Sequence, residues 1–472
     1  MAATPQPVFA PPILSLGEGF FDPVAAAEFP KHILRYRNDR AAASVGLDGF
    51  SDAEWIRRFG KFDPLPDNLA EPLALRYHGH QFRSYNPQIG DGRGFLFAQL
   101  RDREGRLLDL GTKGSGTTPY SRQGDGRLTL KGGVREVLAT EMLEALGVAT
   151  SKSFSLIETG EALIRGDEPS PTRSSVLVRL SHSHIRFGTF QRQAYEGREE
   201  GLRRLVDYCG EHFYPHILDA PAEDRPAALL RAATAASAGL CASWMAAGFV
   251  HGVLNTDNMN ITGESFDYGP YRFLPHLDPE FTAAYFDETG LYAYGRQPEA
   301  VAWNCAQLGG ALTLIAPRAE LEAALAAYGD AYQAALRAHV FRRLGVTPTE
   351  DAEADLAFIS DLMRWMTRTK AAFEQVFFDW FGGPESEARA DASPQSALYA
   401  AEDFAALRRR LCAFRPAAPD RLACAYFQRG RPATLLIDEI EAIWSRIDER
   451  DDWSAFAAKL DEIAEMRDAL VP

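Results

Sequence analysis

Cysteine is scarce in this sequence. The five in 472 residues stand apart at Cys209, Cys241, Cys305, Cys412 and Cys424 and form no C-x-x-C pair. An odd, dispersed set excludes a disulfide framework or a cysteine zinc site and fits a reducing compartment. Positive charge is also short, with 50 Lys and Arg against 65 Asp and Glu and a net charge of −15. Such a surface repels nucleic-acid backbone and anionic lipid, so any phosphate site has to be a local basic island. Long apolar runs are missing too. The uncharged stretch Ala232 to Thr256 is long enough to span a bilayer, but Ala, Ser, Gly and Thr dominate it and it contains His251 and Asn255. It reads as a buried helix running into a polar loop. Met1 to Phe20 has no basic region followed by an apolar run, so no secretory signal is expected. No H-E-x-x-H, G-x-S-x-G or G-x-x-x-x-G-K-[ST] occurs, which argues against zinc hydrolase, serine hydrolase and P-loop chemistry.

What remains is an ordinary globular composition, 46% hydrophobic and 24% charged. The length allows about two to four domains of roughly 100–200 residues, or one enlarged two-lobed body. Residues 1–70, rich in proline and aromatics without sustained periodicity, read as an extension packed on that body. Over 71–186 short apolar runs separated by glycine-rich turns predict strands at 94–100, 106–110, 153–157 and 175–180. One strong helix interrupts them at about 133–146, with Gly147 as its stop. From 187 the pattern is helical, through a core at 187–318 and a C-terminal helical region at 319–472. The clearest helices are predicted at 227–249, 299–315, 319–344, 351–381, 398–411 and 437–470, with a loop at 385–396.

Gly90-Asp91-Gly92-Arg93-Gly94 precedes an apolar strand, and such a loop lets backbone N–H groups approach phosphate oxygens. A tight hairpin uses the same glycines. The next strand delivers Lys113, and the following helix carries Glu136. That is the protein-kinase order, in which a strand lysine contacts nucleotide phosphates and a helix carboxylate positions it. Two unrelated surface charges would look the same. Between them a second glycine-rich segment, Gly114 to Arg127, brings Arg122 and Arg127 and forms a basic island or a solvated loop. The strongest signal is His251-Gly252-Val253-Leu254-Asn255-Thr256-Asp257-Asn258, followed by Phe266-Asp267-Tyr268-Gly269. Asp257 would act as a base near an attacking hydroxyl, with Asn258 and Asp267 as oxygen ligands for magnesium; an ordinary polar turn is the other reading of the segment. His251 reads as a structural histidine. Kinases put their base closer to the histidine, where this chain has Val253, so the chemistry is altered. His78/His80 and His182/His184 could chelate a metal from a strand, but no third ligand is evident.

These segments, with Tyr77 to Phe82, Leu110 to Arg122 and Leu177 to Gly188, resemble the selenoprotein O (YdiU) family over nearly the whole chain. The resemblance implies an α+β, protein-kinase-like bilobal fold with a strand-rich N-lobe, one main N-lobe helix and a helix-rich C-lobe. It implies a pseudokinase holding ATP in flipped orientation, so that AMP rather than phosphate passes to a Ser, Thr or Tyr hydroxyl of a protein and pyrophosphate leaves. By motif matching, Gly90, Gly92, Arg93, Lys113, Asp125, Gly126, Arg179, Arg186 and Asp267 bind ATP. Glu136 braces Lys113, Asn258 and Asp267 hold Mg²⁺ or Mn²⁺, and Asp257 is the proton acceptor. The alternatives are a kinase transferring the γ-phosphate and a catalytically silent ATP-binding scaffold. Many relatives end near a redox cysteine or selenocysteine, whereas this chain ends Leu470-Val471-Pro472. A redox switch there is not expected. A bacterial cytoplasmic monomer with protein substrates, and no nucleic-acid or membrane partner, is the expectation.

Overall fold

The computed structural model of the chain describes residues 11–166 and 168–470, so part of the Met1 to Phe20 segment and the terminal Val471-Pro472 lie outside the described residues. The strands are β1 (Phe21–Pro23), β2 (Ile33–Arg37), β3 (Leu73–Leu75), β4 (Gly79–Gln81), β5 (Ser84–Asn86), β6 (Leu96–Arg101), β7 (Leu107–Lys113), β8 (Leu128–Thr129), β9 (Lys152–Leu163), β10 (Thr172–Ser181), β11 (Phe249–Val250) and β12 (Arg272–Phe273). Eight of them form one antiparallel sheet in the order β1-β3-β6-β7-β10-β9-β2, with β8 pairing to β10. β4 with β5 and β11 with β12 form separate two-stranded ribbons. The fold is thus mixed α and β, with one large antiparallel sheet and many helices.

Both faces of the sheet are buried, and β10 shows why. Leu177 points into one apolar cluster while its neighbours Val176 and Val178 point into another, the two-residue alternation of a strand. The Leu177 side is covered by α3 (Leu130–Ala145), whose Val134, Val137 and Leu138 share that cluster. Thr129 caps α3 by accepting from Gly132 N at 3.1 Å. Gly147 at φ +78 ends the helix just beyond its last turn.

The opposite face is covered by the N-terminal segment through α1 (Asp39–Ser44) and α2 (Asp52–Phe59). In α2, Ser51 accepts from Glu54 N, acidic residues fill the first turn and arginines the last. Trp55 and Phe59, four residues apart on one helix face, are fully buried beneath the sheet. The Trp55 ring stacks on Phe154 at 4.8 Å and donates from Nε1 to Ser155 Oγ at 2.9 Å. Residues 1–70 also contribute β1 and β2, the two end strands of the sheet, which are too short to announce themselves by periodicity.

The helices α4 (Phe187–Tyr195), α5 (Glu199–His212), α6 (Arg225–Ala246), α7 (Gln297–Leu312), α8 (Arg318–Leu325) and α9 (Tyr328–Arg343) build the second half around α6. The uncharged stretch from Ala232 is the buried part of α6 followed by β11 and a polar loop. Among the described residues no helix is long and apolar enough to cross a membrane. Four predicted helices are broken, among them 398–411, which falls into the helices Ser396–Tyr399 and Ala405–Ala413. The 319–344 segment divides into α8 and α9, the 351–381 segment breaks at Lys370 (φ +55), and the 437–470 segment breaks at Asp451 (φ +51). Helix Glu387–Ala392 occupies the stretch predicted as a loop, where buried Ala390 and the pairing of Arg408 with Glu387 and Asp391 hold it.

The final helices Ile437–Arg450 and Ser454–Leu470 fold back onto the sheet half of the molecule. Ile463, Met466 and Ala469 enter the same core as α3, and Arg467 Nη1 lies 2.6 Å from Glu141 Oε2 on α3.

Candidate active site

β6 and β7 pair so closely that Gly94 has no room for a side chain, since a Cβ there would sit 2.0 Å from the Thr112 carbonyl oxygen. This tight pairing carries the end of β7 to Lys113. The lysine is buried and its Nζ makes an ion pair with Glu136 of α3 and another, at 2.6 Å, with Asp267 Oδ1. The sheet, the α3 helix and the segment after β11 therefore meet at one ammonium group.

Asp267 has a backbone φ of +65, an uncommon conformation for a non-glycine residue that Asp tolerates better than most. Its Oδ1 is 3.5 Å from Arg179 Nη1 of β10, and its Oδ2 accepts from Asn258 Nδ2 at 3.2 Å. Burial opposes ionisation of Asp267, but Lys113, Arg179 and Arg93 outweigh it and hold its pKa well below the usual carboxylate range. The residue is a firmly charged anion.

Asp257 behaves in the opposite way. It lies in a single 3₁₀ turn, Thr256–Asn258, and its Oδ1 is buried without a hydrogen-bond partner. Burial raises its pKa to about 6 despite the attraction of Arg186. A carboxylate poised near neutrality is suited to accept a proton.

Arg186 joins the parts. Its Nη1 donates to the Asp257 carbonyl at 2.8 Å and its Nη2 to Asp91 Oδ1 at 3.2 Å. Its guanidinium lies over the Tyr77 ring at 4.5 Å and the Phe266 ring at 4.8 Å. Asp91 in turn accepts from Leu75 N at 3.0 Å and so ties the glycine loop to β3. Nε of Arg179 and Nε of Arg186 are buried donors without partners.

Gly90, Gly92, Arg93, Lys113, Asp125, Gly126, Arg179, Arg186, Asp257, Asn258 and Asp267 all line one cleft of about 800 Å³, a volume suited to a nucleotide-sized ligand. Glu136 stands behind Lys113. The glycine loop serves packing as much as access. A Cβ on Gly90 would come within 2.5 Å of the Tyr120 ring, and one on Gly92 within 2.9 Å of the Tyr120 carbonyl. Gly114 to Arg127 is a strap laid over that loop, with Thr118 and Ser121 donating to the carbonyls of Asp91 and Gly92. Gly126, at φ +69, packs against Gly116 of the same strap. Asp125 is held on it by Arg165 at 2.7 Å and accepts from Arg127 N at 2.9 Å.

His251 donates from Nε2 to the Phe266 carbonyl at 3.1 Å, and burial lowers its pKa. It is a neutral residue that links the Asp257 and Asp267 segments. The paired histidines make protein contacts. His78 Nδ1 meets Tyr85 OH at 2.9 Å, His80 Nδ1 meets Gln191 at 2.8 Å and His184 N donates to Asp109 at 2.8 Å.

Sequence reasoning missed Asp91, Tyr77 and the β4–β5 hairpin as parts of the site. The hairpin braces the Asp257 turn, with His80 N donating to Thr256 Oγ1 at 2.7 Å and Phe82 N to Asn255 Oδ1 at 3.0 Å. Gly79 is pressed against Asp257, where a Cβ would lie 2.9 Å from Oδ1. The two histidines drew attention to metal spacing, whereas the useful signal was the small residue between them.

A buried acid poised near neutrality stands beside a firmly ionised one, in a cleft rich in arginine and holding Lys113, a charge pattern suited to a polyanionic ligand. A family model described as protein adenylyltransferase SelO matches residues 6–464, and the chain belongs to that family. It is 46% identical over 460 residues to a protein nucleotidyltransferase YdiU of Gloeobacter violaceus, covering 95% of this chain and 93% of the relative. A protein of the same name from a Synechocystis strain is 44% identical over 461 residues, covering 95% and 96%. One from Synechococcus elongatus is 51% identical over 373 residues, covering 78% and 74%. The family activity is nucleotidyl transfer, with ATP the substrate that an adenylyltransferase implies.

Proposed function

We propose that the chain transfers AMP from ATP to a Ser, Thr or Tyr hydroxyl of a protein, in a kinase-like two-lobed frame that holds the nucleotide in reverse. The observation that carries this reading is Asp257, a buried carboxylate with an unpaired oxygen and a pKa near 6 in the same cleft as Lys113, Arg179 and Arg186. The cations neutralise the triphosphate and the leaving pyrophosphate, so positioning and fixed charge carry most of the catalysis. Asp257 accepts the proton of the attacking hydroxyl as its oxygen bonds to the α-phosphorus. The bond from that phosphorus to the bridging oxygen breaks, and pyrophosphate leaves with the electron pair.

Magnesium fits the donor set. Among the described residues no group of three or more His, Cys, Asp or Glu forms a ready cage. A nucleotide-bound magnesium ion needs only one or two protein oxygens beside phosphate and water. Asp267 Oδ2 and the Asn258 amide lie together, and the charge of Asp267 is already secured. Bound there, the ion would screen charge at the phosphates. Lys113 and Arg179 hold Asp267 in place for it.

Incubation with ATP labelled separately at the α and γ positions tests the reading. Label reaching acceptor proteins from the α position alone is expected. Label arriving only from γ would overturn it in favour of a kinase.

A further inference from the structure

Phe82 is an anomaly at two levels. With Arg83 it forms the two-residue connection between β4 and β5, at φ +49 and +64. Two consecutive positive φ values characterise a type I′ hairpin turn, whose usual residues are Asn and Gly because bulky side chains strain it. Phe82 is also 36% exposed. A strained backbone that presents a large aromatic ring to solvent breaks local rules twice, and such breaks concentrate at functional positions.

The ring is not isolated. Phe82 lies 5.8 Å from Phe286, Phe286 lies 5.1 Å from Tyr285, and Phe82 also packs on Tyr292 at 5.0 Å. Phe286 is 48% and Tyr285 83% exposed, so three of the eight exposed large apolar side chains among the described residues meet in one ridge. The ridge is bolted to the active site. Asn255 Oδ1 accepts both from Phe82 N, at 3.0 Å, and from Tyr292 OH, at 2.9 Å. Asn255 lines the cleft two residues before Asp257. The aromatic surface is therefore tied through Asn255 to the wall that holds the proposed base, and Gln81 beside Phe82 lines the same cleft.

We infer that Phe82, Tyr285 and Phe286 form the acceptor-docking ridge of the transferase, which receives a large apolar side chain flanking the target hydroxyl in a polypeptide. The inference rests on the protein-acceptor reading above. A protein acceptor has to lay its backbone across the mouth of the cleft to bring a hydroxyl to Asp257. Exposed aromatics beside that mouth give it a surface to bury, with little side-chain entropy lost. The strain at Phe82 and Arg83 has a structural counterweight in the second half of the molecule. Arg83 pairs with Glu299 at 3.1 Å and lies over the Trp303 ring at 5.5 Å.

The test uses the full chain, α-labelled ATP and synthetic peptides with one central Ser, Thr or Tyr. At each flanking position a Phe is compared with an Ala. Wild type should modify the best Phe peptide about fivefold faster in kcat/KM than its Ala counterpart, the order expected for part-burial of one aromatic group. Phe286→Ala and Tyr285→Ala should abolish that preference while leaving ATP affinity unchanged. Phe82→Asn, which suits the turn, should also lose the preference while remaining folded by circular dichroism. Equal rates for Phe and Ala peptides in wild type, or a preference that survives in all three variants, would overturn the ridge while leaving adenylyl transfer standing. Peptides labelled only from γ-labelled ATP would overturn the adenylyl reading and this inference together.

Discussion

His251 Nε2 donates to the Phe266 carbonyl across 3.1 Å of buried space, and this bond fixes the loop of Asp257 to the segment of Asp267. The two carboxylates have opposite pKa shifts, and their spacing depends on that neutral imidazole. His251→Ala should cost about 2–4 kcal/mol of stability by opening a cavity and freeing a carbonyl. It should lower AMP transfer by about 10- to 100-fold through misplacement alone. Urea denaturation and transfer assays on the same preparation measure both effects.

Asp257→Asn removes the proposed base while keeping its shape. AMP transfer should fall by about 10²- to 10⁴-fold. ATP affinity by calorimetry should change by less than about threefold. In wild type the rate should rise with pH through about 6 and level off above 7, because the ionised form accepts the proton.

The same substitution should stabilise the fold. The folded pKa of Asp257 is about 6 against an ordinary 3.8, so the folded state binds the proton more tightly than the unfolded one. Its penalty is absent below pH 3.8, grows as pH rises, and is complete above about 6. Asp257→Asn should therefore gain up to about 2 kcal/mol over wild type at pH 7, with the gain vanishing near pH 3.5. Thermal melts across that range decide it, and a destabilised variant at pH 7 would contradict the burial argument.

Chelation by EDTA should abolish transfer, and Mg²⁺ or Mn²⁺ should restore it. Asn258→Ala should raise the half-saturating metal concentration by about tenfold, since one of few protein ligands is lost. A metal titration that gives the same midpoint for both proteins would remove Asn258 from the ligand set.

Gly90 and Gly94 differ in what blocks them. Gly94→Ala meets the Thr112 backbone, which cannot move aside, and should cost more than about 3 kcal/mol. Gly90→Ala meets the Tyr120 ring, so adding Tyr120→Ala should recover part of the loss, with a coupling of about 1 kcal/mol or more. Denaturation of the single and double variants measures it.

Several elements were legible in the sequence because their signals are local. The α3 helix has helical spacing and a glycine stop, β6, β7 and β10 have apolar runs, and His251 to Asn258 is a compact motif. Lys113 and Glu136 could be named as partners because kinase order places one on a strand and the other on the next helix. By contrast, β1 and β2 are short strands whose pairing is with residues far along the chain, at Leu75 and Ile157. The breaks at Lys370 and Asp451 depend on single left-handed residues that apolar periodicity does not register.

Scarce cysteine, net acidity and the absence of a long apolar run were decided by sequence alone, together with family membership and the residue types of the site. They are properties of composition and order, independent of how the chain folds. Only the tertiary structure decided how Asp257 and Asp267 differ. Burial without a partner raises the pKa of one, and four cations gathered from separate strands and loops lower that of the other. It alone also placed Phe82 against Phe286 and returned the last helix to α3. Each depends on distances between residues remote in sequence, which the order of amino acids specifies only through the packed fold.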